Sequence, residues 1–202
     1  MSENGERENV YKIYDVTAQW FSKNRDTVLM EKNYLDKLIS FIPANASLLD
    51  IGCGTGEPIL KYLIGKNLQV TGLDASSAML DIARVNFPSA SFILQDMRLI
   101  NLNRTFDAII AWHSFFHLPA SDQPAMFRIF KNHINPGGIL LFTSGTENGE
   151  TWGIIGSNNL FHASLNKKEY EDLLKQNGFE VLQYIENDPD CGYATIWMAK
   201  LV

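Results

Sequence analysis

The sequence has little cysteine, no cluster of basic residues and no long apolar run, and each absence closes off a class of function. Two cysteines in 202 residues, Cys53 and Cys191, cannot build a disulfide framework, and no spacing of Cys, His, Asp or Glu reads as a metal site. Both thiols are expected to be free, and no metal is expected. Lysine and arginine total 17 against 23 acids, a net charge of −6 without a basic stripe, so the electrostatic footprint of a nucleic-acid or anionic-membrane binder is missing. No stretch approaches the ~20 apolar residues that span a bilayer. The opening "MSENGERENV" lacks the basic end and apolar segment of a signal peptide. These features predict a cytoplasmic protein whose partner is neither nucleic acid nor membrane.

What is present is a globular composition, 46% hydrophobic and 11% aromatic, which suits one domain over residues 1–202. "VYKIYDVTAQWF" (10–21) and "VLMEKNYLDKLISFI" (28–42) carry apolar residues at helical spacing, and Pro43 closes the second. They predict a helical cap over residues 1–43. The pattern then alternates. "SLLDI" (47–51) reads as a buried strand and "PILKYLIGK" as a helix with Pro58 in its first turn. "LQVTGLD" (68–74) reads as a strand and "SSAMLDIARVNF" (76–87) as a helix with Ser76 at its N-cap. "ASFILQD" is a third strand and "FDAIIAWH" (106–113) a fourth. A helix from about Ser121 to Ile134, a turn at Pro136-Gly137-Gly138 and the strand "ILLFTS" (139–144) follow. Such alternation predicts an α/β fold with a doubly wound, parallel sheet, whose ligand crevice lies at the carboxyl ends of the strands where strand order reverses. Residues 145–165, "GTENGETWGIIGSNNLFHASL", show weak periodicity over a length that compact domains rarely leave without a functional cause, which makes them a candidate lid. The helix "KKEYEDLLKQNG", the strand "FEVLQYIEN", the turn "DPDCG" and the strand "YATIWMAKL" complete the chain, the short turn predicting an antiparallel pair.

The stretch "LLDIGCGTGEP" (48–58) puts Gly52, Gly54 and Gly56 at alternate positions behind a strand that carries Asp50. A dinucleotide fingerprint needs its third glycine three positions after the second, where a helix N-terminus meets pyrophosphate. That position is Glu57, and with Asp50 nearby the loop would repel a pyrophosphate. The ligand is therefore expected to be cationic at this point. S-adenosylmethionine fits, having no phosphate and carrying a sulfonium and an ammonium.

"LLDIGCGTGEP" resembles motif I of the class I S-adenosylmethionine-dependent methyltransferases of small-molecule type, and Tyr11 to Lys200 follow that family's order of elements. "FDAIIAWHSFFHL" resembles its fourth-strand motif, "PGGILLFT" its entry to the fifth strand, and "YDVTAQWF" the N-terminal segment that folds over the cofactor. The resemblance implies a mostly parallel seven-stranded sheet with its last strand antiparallel. It implies a cofactor site from Asp50, Gly52, Cys53, Gly54, Gly56, Asp74, Ala75, Met79, Asp96, Met97, Ala111 and Trp112. Within that set Asp74 bridges the ribose hydroxyls, Asp96 meets the adenine amino group and Met97 lies against the ring. The implied reaction is in-line methyl transfer to a small-molecule acceptor. A cofactor-binding regulatory protein without turnover is the alternative, with a nucleotide-dependent oxidoreductase behind it because of Glu57.

Candidate catalytic groups are few, because a sulfonium already supplies the electrophile and the protein has only to align an acceptor and exclude water. His113, His162 and Tyr14 are candidates; His117 is a weaker one, since the resembling family often has a histidine there whatever its substrate. A hydrogen-bonded structural role competes with each. Cys53 reads as a small loop residue ahead of a reactive thiol. The N-terminal stretch around Tyr14 and the segment 145–165 are expected to close over the acceptor together.

Overall fold

The computed structural model describes residues 3–202, so the first two residues of the expected cap lie outside the described residues. Strand β1 (Ser47–Ile51) pairs in parallel with β2 (Gln69–Asp74) on one side and with β4 (Phe106–Ala111) on the other. Beyond β2 lies β3 (Ser91–Leu94), and beyond β4 lies β5 (Ile134–Ser144), both parallel to their neighbours. A hairpin of β6 (Gly149–Ile155) and β7 (Asn158–Ser164) stands apart as a two-stranded sheet. The main sheet ends with β8 (Phe179–Asp188) and β9 (Ala194–Leu201), in the order β3-β2-β1-β4-β5-β9-β8. The last strand, β9, runs antiparallel to both β5 and β8, and order reverses between β1 and β4. The doubly wound architecture is thus the expected one.

Three helices lead the chain: α1 (Glu3–Glu8), which the sequence reading did not foresee, α2 (Tyr11–Asn24) and α3 (Lys32–Ser40). The crossovers are α4 (Ile59–Gly65), α5 (Ser77–Asn86) and α6 (Gln123–His133), with α7 (Lys167–Gln176) preceding β8. Ser76 caps α5 by accepting from the Met79 amide at 3.2 Å, as its residue type predicts. The α7 start is a capping box, Asn166 and Glu169 each bonding the other's backbone N–H.

Side chains on β1 and β4 alternate between faces, and that alternation makes two cores. Leu48, Ile110 and Leu141 meet Leu38, Leu60 and Leu63 on one side, while Leu49, Ile109 and Phe142 meet Phe127, Phe130 and Tyr170 on the other. Complete burial of each such side chain contributes about 2 kcal/mol.

Two expectations are corrected. The turn at Pro136-Gly137-Gly138 is absorbed into β5 as a register shift opposite Phe106 and Ala108, with Gly137 at φ +79°. The segment 145–165 is mostly the β6–β7 hairpin rather than irregular chain; six of the seven β6 residues remain at least partly exposed, so it shows no alternating apolar signal. The hairpin packs on α2 through a third, smaller core of Val10, Ile13, Ile155, Leu160, Phe161 and Ala163.

Candidate functional site

The loop after β1 takes its shape from three left-handed glycines, each constrained by something different. A side chain on Gly52 would put its Cβ 2.2 Å from Ser114 Cβ, because Ser114 Oγ donates to Ile51 O at 2.6 Å and draws the two strand ends together. One on Gly56 would meet the Phe87 ring at 2.7 Å. At Gly54, φ +54°, a Cβ would find no protein atom within 4 Å. Gly54 therefore presents bare backbone to open space, and that space is a cavity of about 350 Å³ at the carboxyl ends of β1, β2 and β4.

Asp74, at the end of β2, forms the adjoining wall. Its Oδ2 accepts the Gly54 N–H at 2.9 Å and its Oδ1 the Ser76 N–H at 2.8 Å, so both oxygens are pinned and each keeps a lone pair for a second donor. Burial raises its pKa, and the backbone donors offset part of that rise. Ala75, Met79 and Trp112 line the same space, as do Asp96 and Met97 at its far end. Burial alone would raise the pKa of Asp96, but the Arg98 guanidinium outweighs it and holds the carboxyl below the usual range.

Other expected residues lie elsewhere. Gly56 faces Phe87 and Leu60, and Ala111 is fully buried in the core on the Phe127 side of the sheet. Asp50 points to the opposite face, 3% exposed, where burial pushes it up to about 7, with Arg25 pulling down and Asp74 and Glu31 adding repulsion. Cys53 packs into the core under Gly72, and burial, reinforced by Asp50 and Asp74, raises its thiol well above the ordinary range. Cys191 is likewise pushed up to about 11 by burial. In an Ellman titration at pH 8 the folded protein is expected to leave both thiols unmodified for an hour and the guanidinium-unfolded chain to release both at once. Rapid native labelling of a Cys53-only variant would reopen a chemical role for that thiol.

The acceptor end is built by Tyr14 from α2 and by His113 and His117 from the chain after β4. His113 sits at φ +48° with its amide donating to Thr143 Oγ1 at 2.9 Å, and burial pulls its pKa down to about 4. The His117 ring lies between two partners, Tyr14 Oη at 2.9 Å from Nε2 and the Phe161 carbonyl at 2.9 Å from Nδ1. A carbonyl can only accept, so Nδ1 carries the proton and Nε2 accepts from the Tyr14 hydroxyl. Burial drives His117 down to about 3 and Tyr14 upward, the Asp74 carboxylate adding to the latter, so both groups are neutral across the physiological range. His162, on β7, is not a wall of this cavity. Its ring lies 4.9 Å from that of His117 and lines a second cavity of about 380 Å³ beneath the hairpin.

Three residues, Arg25, Glu31 and Asp15, had no sequence signal that could find them. Arg25, just past α2, reaches the cavity with its guanidinium 5.2 Å from the Phe21 ring centroid and forms no ion pair among the described residues. Glu31, 4% exposed, lines the same end, its pKa raised by burial. Asp15 ties α2 to the start of α5, accepting from Ser76 Oγ at 2.7 Å and the Ala78 N–H at 3.2 Å. His117, the weakest of the candidates, holds the central position. No described helix is long and apolar enough to cross a membrane.

Comparison with known proteins places this geometry. The profile of a family described as a methyltransferase domain matches residues 23–184. An N,N-dimethyltransferase of Streptomyces fradiae that acts on dTDP-3-amino-3,6-dideoxy-alpha-D-glucopyranose is 38% identical over 134 residues, 65% of this chain and 51% of that protein. The dTDP-3-amino-3,4,6-trideoxy-alpha-D-glucopyranose N,N-dimethyltransferase of Streptomyces venezuelae is 30% identical over 131 residues, 64% of this chain and 54% of that one. The chain spans about half the length of these curated relatives. Among solved structures, an amino pentose methyltransferase from Micromonospora echinaspora with S-adenosylmethionine bound superposes with a TM-score of 0.72 at 19% identity, covering 96% of this chain and 97% of its own.

Proposed function

The chain belongs to the class I S-adenosylmethionine-dependent methyltransferases, and from that premise we propose that it methylates a nitrogen atom of a small polar acceptor. The cavity suits the cofactor on its own evidence. Gly54 leaves a cradle that any Cβ would fill, Asp74 offers two fixed carboxylate oxygens to a vicinal diol, and Asp96 offers a charged acceptor to an exocyclic amine. Arg25 matches a carboxylate at the other end, where Glu31 adds an acid that suits an ammonium. When bound, S-adenosylmethionine supplies an electrophilic methyl group.

The observation that carries the nitrogen assignment is the Tyr14–His117 pair. Tyr14 commits its proton to His117 Nε2, which leaves its oxygen free to accept an N–H from the acceptor and to hold that atom at one place and angle. His117, with its basicity suppressed by burial, orients Tyr14 and is a poor sink for a proton. Such a pair suits an amine bound in its neutral form, whose lone pair attacks without a base, over a hydroxyl, which must be ionised before it attacks. As positive charge grows on the nitrogen its N–H becomes a stronger donor, so the bond to Tyr14 strengthens along the reaction. The aromatic walls of Phe21 and Trp112 keep water out and face the same cation favourably. The aminosugar N-methylation named for the two Streptomyces relatives agrees with this reading.

The test is incubation with methyl-labelled S-adenosylmethionine and a fractionated set of small amines, alcohols and thiols. Label appearing in an amine fraction is expected, and label confined to alcohols would overturn the nitrogen assignment. With an acceptor in hand, Tyr14→Phe is expected to lower kcat by about 10- to 100-fold, the equivalent of about 1.4–2.7 kcal/mol, for a hydrogen bond that tightens as charge develops. KM for the cofactor should stay within about threefold, because Tyr14 acts at the acceptor end.

A further inference from the structure

Arg98, which lowers the pKa of Asp96, touches three separate parts of the molecule. It lies in a short 3-10 turn after β3, two residues beyond Asp96. Its Nε donates to both Asp96 oxygens, at 3.0 and 3.1 Å, and one terminal nitrogen donates to Oδ2 at 2.6 Å. The other terminal nitrogen donates to Asp122 at the start of α6, at 3.0 Å. The nitrogen that grips Asp96 also donates to the backbone carbonyl of Glu8, the last residue of α1, at 3.0 Å. That carbonyl is among those left without an intrahelical partner at a helix end, so the contact satisfies a group that the helix itself cannot.

The planar guanidinium holds the Asp96 carboxylate along one edge and fixes the direction of its remaining lone pairs. The Arg98 cation also keeps Asp96 ionised, hence purely an acceptor, so a base presenting an amino group is received and one presenting a carbonyl oxygen is repelled. Glu8, Val10 and Tyr11 line the cavity at this same end. We propose that Arg98 is a positioning residue that joins recognition of the cofactor's base by Asp96 to the seating of the N-terminal segment over it, an inference that rests on the reading of Asp96 as the base acceptor. Base selectivity and closure of this end are then one event, since the same guanidinium makes both.

The experiment uses the whole chain and two ligands, S-adenosylhomocysteine and S-inosylhomocysteine, which differ in a 6-amino against a 6-oxo group. Calorimetry gives the ratio of their affinities, and amide exchange over residues 3–15 reports seating of the segment. The native protein is expected to prefer the adenosyl ligand by at least about tenfold, as sites built to accept a hydrogen bond do. In Arg98→Gln the ratio is expected to fall to within about threefold, and the adenosyl ligand no longer slows exchange in residues 3–15. Arg98→Lys, which keeps the charge but cannot span both oxygens and the Glu8 carbonyl, is expected to recover affinity without recovering the ratio. It serves alone should the glutamine variant fail to fold. A folded variant of either kind with the native ratio and native protection would overturn the proposal. A native protein that binds both ligands equally would overturn the Asp96 assignment beneath it, and one that binds neither would overturn the cofactor reading itself.

Discussion

Gly54→Val is expected to abolish cofactor binding in a protein that still folds. The two halves of that statement have separate causes. Folding survives because the added Cβ meets no neighbouring atom within 4 Å and the branches extend toward the open cavity, so the expected cost is the strain of a β-branched residue at φ +54°, about 1–3 kcal/mol. Binding is lost because the space the valine enters is the cradle itself, and a ligand lying flat on the loop has nowhere to move. Calorimetry with S-adenosylhomocysteine should show at least a hundredfold loss, while circular dichroism stays native and the melting temperature falls by several degrees. Gly52→Val is the contrasting variant: its Cβ would sit 2.2 Å from Ser114 Cβ, so it is expected to fail at folding before binding can be asked. Affinity within threefold of native in a folded Gly54→Val protein would remove the loop from the site.

Asp74→Ala is expected to weaken S-adenosylhomocysteine by a factor of roughly 30 to 1000, the equivalent of about 2–4 kcal/mol for a buried, charge-assisted pair of hydrogen bonds. Part of that cost falls on the protein, because the carboxylate also receives the Gly54 and Ser76 amides, and alanine leaves both donors without their partner. Asp74→Asn separates the two contributions. The amide keeps one oxygen for one backbone donor and turns an NH₂ toward the other, so it disturbs the loop while it also removes the negative charge. If loop support dominated, asparagine and alanine would lose binding and melting temperature in proportion. If the ribose contact dominates, as expected, asparagine loses most of the affinity with a smaller loss of melting temperature. Unchanged affinity in both variants would sink the assignment.

The parts of the molecule that were legible in the sequence are those where one physical requirement acts alone. The buried strands β1, β2 and β4 read as apolar runs because both sheet faces are covered. Gly52 and Gly54 stood out because the loop needs bare backbone, and Asp74 because the resemblance put an acid at the end of the second strand; all three line the cavity. The hairpin was not legible from periodicity, since β6 is largely exposed and its inner residues meet α2 rather than the sheet. A different signal was present: Gly156-Ser157 between "GII" and "NNLF" is a two-residue turn with a glycine at φ +61°, and turn chemistry would have found what the hydrophobic pattern hid. His117 was the weakest candidate because the resembling family often has a histidine there whatever its substrate, and its partners, Tyr14 and the Phe161 carbonyl, lie 103 and 44 residues away where no local pattern shows them. Arg25 and Glu31 follow the same rule, their significance coming from which cavity they reach.

The order β5-β9-β8 bears on how the chain reaches this state at all. Strand β8 has no neighbour in the sheet except β9, so it cannot join until β9 has formed. The two are near in sequence and can pair as a unit, which then docks on β5 with Trp197 stacking on Phe142 at an interplanar angle of 3°. That docking is a long-range pairing, as is that of β1 with β4, the kind that slows folding because loop closure precedes any reward in contacts. Cys191, in the turn between β8 and β9, is also a wall of the cavity that carries Gly54 and Asp74. The turn between these two strands thus serves both the sheet edge and the cavity, and a chain without this docking lacks a wall of the cavity. A ligand that binds only the completed cavity therefore favours the docked edge by mass action.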